Sequence, residues 1–246
     1  MDKKVLSSFV LSLLCSLFCG LAPAGAQAGH WIFFDDFSGD LEKKWISFLR
    51  PGPRPNEYRG NPAPSLKNDF KDRKKNGVMS KRSFFLVSGT VIRCDMYISP
   101  RSGNAWVEGA FGLPRTPDDF RRGVWPEWLV GMSYNYIGNP GWSRRPLREE
   151  GTLICYLVNE DGDLEINRIP FRNRYLDSWH TYEITVRNDG FIEFRIDGGL
   201  IYYSRKRLSY GYKHLPLLLG QRSGGKGKVY HDNVEVLSYK REELIK

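Results

Sequence analysis

Two short stretches carry side chains whose types and spacing suit acid–base chemistry. In TVIRCDMYI (residues 90–98) the period of two places Ile92, Cys94, Met96 and Ile98 on one strand face, with Arg93, Asp95 and Tyr97 on the other. In NAWVEGAFGL (104–113) Ala105, Val107, Phe111 and Leu113 read as buried, while Asn104, Trp106 and Glu108 point away. If the two strands are neighbours, Asp95 and Glu108 form a carboxylate pair flanked by aromatic rings, and Arg93 is placed to hold an anionic group. The same residues also describe an ordinary solvated sheet face with an Arg–Asp pair, and the pattern alone leaves both readings open.

A third stretch, GVWPEWLVGMSYNYIGNPGWSRRP, is dense in rings: Trp125, Trp128, Tyr134, Tyr136 and Trp142, followed by Arg144. Flat aromatic faces pair with the C–H faces of sugars, and nearby Asn and Arg satisfy hydroxyl and acidic groups. The competing reading makes Trp128, Met132, Tyr134 and Tyr136 one row facing the core. Acidic residues also recur at Asp161, Asp163 and Glu165, but Gly162 and the flanking runs make that segment a hairpin turn. The histidines, His30, His180, His214 and His231, are scattered with no nucleophile marked beside them.

The elements that hold these residues follow an export-like start. Lys3 and Lys4 precede an apolar run, and Ala24-Gly25-Ala26 supplies small residues at the spacing of a cleavage site, so residues 1–28 read as a signal peptide. A membrane association is expected only if that signal stays uncleaved. Residues 29–246 then form one domain, secreted or periplasmic. With 37 Lys+Arg against 28 Asp+Glu and 14% aromatic residues, the surface is basic and ring-rich. That balance suits acidic polysaccharides or envelope surfaces. A nucleic-acid partner is not expected, because no zinc-finger, helix-turn-helix or RNA-binding signature is present. Cys94 and Cys155 remain in the mature chain as either a disulfide or two buried thiols, and no His at ligand spacing makes them a zinc site.

From Phe84 onward the chain reads as successive strands. Its clearest hairpin sets Tyr182, Ile184 and Val186 against Ile192, Phe194 and Ile196 across Asn188-Asp189-Gly190. Residues 50–81, rich in Pro, Asn, Lys and Arg, read as a long surface loop. The expected fold class is all-β, a two-sheet antiparallel sandwich.

DDFSGDLEKKW, SGTVIRCDMYI, WHTYEITVRNDGFIEFRIDGGLIYYS and KVYHDNVEVL together resemble the concanavalin A-like lectin and glucanase jelly rolls, which include laminin-G-like domains and laminarinase-type hydrolases. The resemblance implies that the first and last strands lie side by side. It also implies a structural calcium in some members, with Asp232 as the matching side chain and Gly89 as a carbonyl donor. Calcium takes six to eight oxygen ligands. For function it implies carbohydrate binding, with an acidic or cell-envelope glycan as the ligand class. The alternatives are a polysaccharide-cleaving hydrolase or lyase on the concave face, or a structural or adhesive surface domain, because one fold hosts many functions. The hydrolases' Glu-x-Asp-x-Glu strand pattern is missing here. N-terminal sequencing of exported protein should find a chain starting just after Ala26 or Ala28, and a membrane-bound chain starting at Met1 would refute the export reading.

Overall fold

In the computed structural model, alternation along residues 91–98 becomes a strand whose apolar side chains enter the core. The structure describes residues 30–47, 54–56, 64–68, 75–99, 104–111, 128–135, 151–159, 161–170, 173–209, 214–222 and 228–238. In chain order the elements are β1 (His30–Asp35), α1 (Leu41–Lys44), β2 (Trp45–Ser47), β3 (Arg54–Asn56), β4 (Ser65–Asn68), β5 (Lys75–Phe85), β6 (Val91–Ile98) and β7 (Asn104–Phe111). They continue with β8 (Trp128–Asn135), β9 (Thr152–Val158), β10 (Leu164–Pro170), β11 (Trp179–Val186), β12 (Ile192–Ile196), β13 (Gly199–Tyr203), β14 (His214–Arg222) and β15 (Val229–Ser238). The signal-peptide reading of residues 1–28 lies outside the described residues.

The strands form two antiparallel sheets. Sheet A runs β13-β12-β11-β6-β15-β4-β3, with β1 also on β15, and sheet B runs β10-β9-β8-β7-β14-β5-β2. Their inner faces meet in one core, with Ile92, Cys94, Met96, Tyr182, Ile184 and Phe194 from sheet A packed on Val130, Met132, Tyr134, Leu153, Cys155 and Leu219 from sheet B. The hairpin register is Tyr182 opposite Ile196, Ile184 opposite Phe194 and Val186 opposite Ile192. Its turn has Gly190 at φ 84°, a backbone region that side-chain-bearing residues rarely enter. The chain ends also meet as expected, since β1 pairs antiparallel with β15 and buries Phe33, Phe37, Val234 and Val236.

The long loop expected over residues 50–81 is corrected by the structure. It contains β3, β4 and the first half of β5, and β5 pairs with β14 from Lys75 onward. These segments are short or lack strict alternation, so their strand character comes from their partners and not from local pattern.

The double Asp of the opening stretch splits its work. Asp35 is buried and accepts hydrogen bonds from the Trp45 indole, from Lys44 Nζ at 3.0 Å and from the Phe37 amide at 3.2 Å. Asp36 faces out and accepts from Ser38 Oγ at 2.7 Å, which holds its carboxyl below the usual range. Asp40 caps α1 by accepting from the Glu42 amide. Replacing Asp35 by Ala leaves a buried indole N–H without its acceptor, a loss of about 1–3 kcal/mol. Urea unfolding of Asp35→Ala should therefore show a lower midpoint with an unchanged slope.

Cys94 and Cys155 are separate free thiols, both buried, which removes the disulfide alternative. Burial pushes both thiols well up, with Asp95 adding a repulsive charge at Cys94, so the reactive thiolate is suppressed. A thiol reagent at neutral pH should leave both unlabelled in the native mature protein and label both after denaturation without reductant.

Candidate functional site

The carboxylate pair suggested by the strand pattern does not form. β6 lies in sheet A between β11 and β15, whereas β7 lies in sheet B between β8 and β14, so Asp95 and Glu108 belong to different sheets. Consecutive strands that cross from one sheet to the other give the same local alternation as a hairpin, which is why the pattern was ambiguous.

The outward face of sheet A is occupied by its own polar pairs. Arg93 Nε sits 2.6 Å from Glu183, with Glu235 3.7 Å away on the other neighbouring strand. Asp95 accepts from Thr181 Oγ1 at 2.6 Å and from the Asn233 side-chain amide at 2.9 Å. Tyr97 is buried, packs against Trp179 and Tyr230, and donates its hydroxyl to Asp177. Arg93, Asp95 and Tyr97 are therefore parts of the sheet's own bonding and not a ligand surface.

Ser178 Oγ lies 2.7 Å from His180 Nε2, and His180 Nδ1 lies 2.6 Å from Asp197, the connectivity of a nucleophilic triad. The chain also binds backbone on both sides. Ser178 Oγ reaches the Leu176 carbonyl at 3.3 Å and Asp197 accepts from the Thr181 amide at 3.0 Å, so it ties the turn after β12 to the start of β11. Asp197 adopts φ 51°, and these bonds hold it there. Sequence spacing gave no signal for this contact, because Asp197 reaches it from the neighbouring strand's turn.

Sheet B presents a different outward face. Trp106 stands opposite Ser133 and Gly220, and Glu108 opposite Gly131 and Leu218. Gly77 continues the same row across β14. Leu218 and Met79 form a small apolar cluster there with Ile46 and Leu129. Toward the β9–β10 edge the face opens: Tyr156 pairs with Ile166 and Val158 with Leu164, and Leu164 and Ile166 are 50% and 43% exposed. Asn104 occupies a β7 position opposite Arg222. The side chains of Asn104, Trp106, Glu108 and Trp128 lie outside the described set, as do residues 125, 136, 142 and 144 altogether, which covers Trp125, Tyr136, Trp142 and Arg144. Tyr134 is fully buried in the core, which corrects its reading as a binding ring.

Glu165 is buried at the end of sheet B and is fully engaged. It accepts from the Arg205 amide at 2.8 Å, from the Lys206 amide at 2.7 Å and from the Tyr202 hydroxyl. Desolvation, followed by this bond to Glu165, pushes the Tyr202 hydroxyl up to about 12. Asp163 pairs with Lys206, and the turn at 159–163 is a hairpin, as its residues implied.

The calcium expectation does not fit these residues. Asp232 pairs with Asp95 far along β6, whereas Gly89 precedes that strand, so at about 3.3 Å per residue they stand roughly 20 Å apart. Asp232 accepts from the Asn233 amide at 2.8 Å, and Gly89 donates its N–H to Val186. Among the described residues no group of three or more His, Cys, Asp or Glu is placed to hold a metal ion.

This two-sheet architecture is a concanavalin A-like jelly roll, and the fold is similar to that of solved glycoside hydrolases. A glycoside hydrolase family 16 endo-glucanase from Bacteroides ovatus superposes with a TM-score of 0.56 at 14% identity, over 83% of this chain and 99% of that one. The endo-β-1,3-glucanase of Pyrococcus furiosus gives 0.56 at 12%, over 85% and 94%. β-Agarase B of Zobellia galactanivorans gives 0.56 at 11%, over 88% and 96%. No family model and no curated protein matches the chain.

Proposed function

We propose that the domain acts on a polysaccharide laid across the outward face of sheet B. The observation that carries this reading is the make-up of that face. It has an exposed apolar edge at Leu164 and Ile166, half-buried Tyr156 beside them, and glycine at Gly77 and Gly220 in one cross-strand row and at Gly131 in the next. Rings and methyl groups cover sugar C–H faces, and glycine lets a ligand approach the backbone closely. The fold's likeness to a β-1,3-glucanase and an agarase supports a glycan as the ligand. The export-like residues 1–28 support action outside the cytoplasm.

Hydrolysis is the form of action that the likeness supports. It requires two carboxyls, and among the described strands of sheet B the carboxylates are Glu108 and the fully engaged Glu165. Glu108 is the candidate carboxyl on this reading. Binding without cleavage is the second reading, favoured by β8, whose outward positions beside β7 are Leu129, Gly131 and Ser133 and carry no acid. Release of reducing ends from β-1,3-glucan, mixed-linkage glucan and agarose, run beside a pull-down on the same polymers, separates the two. Glu108→Gln should cut turnover about 10²–10⁴-fold while binding persists. Retention of a polymer with no cleavage selects the binding form, and neither retention nor cleavage refutes the proposal.

A further inference from the structure

The N-terminal corner carries a hollow of about 430 Å³, lined by β1, α1 and by Lys81 and Arg82 of β5. It begins with a β-bulge in β1. Trp31 pairs with Leu237 and Phe33 with the next residue back, Val236, so β1 has one residue more than β15 across this step. A strand without the bulge sends residues 31 and 34 to opposite faces. The extra residue brings both outward, while Phe33 and Asp35 turn into the core. The Trp31 and Phe34 rings stack with centroids 5.7 Å apart and planes 18° apart. They stay 66% and 38% exposed, so their rings serve the surface.

Cations line the same hollow. Lys43, Lys44, Lys81 and Arg82 border it, and no carboxylate does. Lys44 is engaged, with Nζ 3.0 Å from both Asp35 Oδ1 and the Phe34 carbonyl. Lys43, Lys81 and Arg82 form no ion pair among the described residues, and the Arg82 guanidinium lies 5.6 Å from the Phe84 ring centre. The acids nearest in sequence are turned to local donors: Asp36 to Ser38 and Asp40 to the Glu42 amide. Among the described residues, Lys43, Lys81 and Arg82 therefore bring positive charge to the hollow without an ion-paired carboxylate, while Lys44 is paired with Asp35.

We infer that this hollow is a second carbohydrate site, selective for an anionic glycan. A sugar ring lies against the open Trp31 face, and its carboxylate or sulfate group is held by Lys43, Lys81 and Arg82. The volume falls within the range of small-ligand sites. Stacked rings offer a flat surface matched to a pyranose, and the cations select charge. The choice of a glycan as the anion rests on the polysaccharide reading above, but the site uses none of the residues named for the sheet B face: Lys81 and Arg82 lie on β5 in the irregular stretch between Met79 and Ser83.

Affinity electrophoresis through polygalacturonate, a sulfated galactan and neutral β-1,3-glucan tests it, with Trp31→Ala and a Lys81→Glu/Arg82→Glu double variant run beside the unaltered protein. Retardation by the uronate or the sulfated gel should drop at least about tenfold in each variant, and the two gels tell the carboxylate source from the sulfate source. Binding to neutral glucan and thermal unfolding should stay unchanged, because the altered side chains are exposed. Raising salt from low to physiological strength should weaken retention by the charged gels alone. Equal retardation of the variants overturns the inference, as does no retardation by either charged polymer. Tighter binding to single-stranded DNA or to anionic lipid vesicles than to any acidic glycan also overturns it. Loss of neutral-glucan cleavage in Glu108→Gln with charged-polymer retardation intact concerns sheet B alone, whereas loss of charged-polymer retardation in the Trp31 and Lys81/Arg82 variants concerns the hollow, so failure of one reading is distinguishable from failure of the other.

Discussion

The whole architecture depends on β15, the last described strand, lying inside sheet A and not at its margin. One edge of β15 pairs with β6, and the other pairs first with β4 and then with β1. A strand bonded on both edges must satisfy nearly all its backbone groups, and β15 is buried along most of its length. The switch from β4 to β1 on one edge needs a local change in the strand, and the irregularity between Asp232 and Glu235 supplies it, with Asn233 at φ 45°. The bulge also sends the Asn233 amide to Asp95 on β6, so the irregular step is bonded to the neighbouring strand. Sheet A is thus incomplete until both chain ends are in place, which makes folding depend on contacts of very long sequence separation.

The first strand meets this constraint through the Asp35 cluster. Phe37 adopts φ 55°, an uncommon backbone state for a bulky residue, and the turn it makes delivers its ring onto Trp45 at 5.7 Å. Asp35 holds the other side of the same turn by binding the Trp45 indole, Lys44 and the Phe37 amide. Sheet A and sheet B are linked here, because Phe33 and Asp35 belong to β1 and Trp45 begins β2. The acidic residues therefore anchor a corner of the core.

How much of this was legible depends on whether a feature is local. Period-two runs at 91–98 and 182–196 gave the correct inner face, because the pleat fixes which residues share a side. Periodicity does not fix accessibility: Tyr97 has outward spacing yet is covered by Trp179 and Tyr230. Nor does it fix partners, which is why Asp95 and Glu108 looked like neighbours. β4 and early β5 were hidden because they do not alternate: Leu66 is buried between the buried polar Ser65 and Asn68, and Val78 and Met79 are adjacent and both buried. The bulge that stacks Trp31 on Phe34 was invisible because the run Trp31-Ile32-Phe33-Phe34 has no alternation from which a face can be assigned.

The two outward faces differ in what they leave for a ligand. On sheet A, Arg93 is shared by Glu183 and Glu235, and Glu193 is shared by Arg187 and Arg195. A ligand there would have to displace charge-assisted bonds that already satisfy both partners, which costs more than exposed ion pairs return. Sheet B instead offers apolar side chains at Leu164 and Ile166 and glycine positions, where contact displaces water from apolar surface. The hollow beside β1 combines exposed rings with Lys43, Lys81 and Arg82, which, unlike Arg93, form no ion pair among the described residues. Both proposals therefore put the ligand where the fold has not already spent its polar groups on itself, the polysaccharide on sheet B and an acidic glycan at the Trp31 corner.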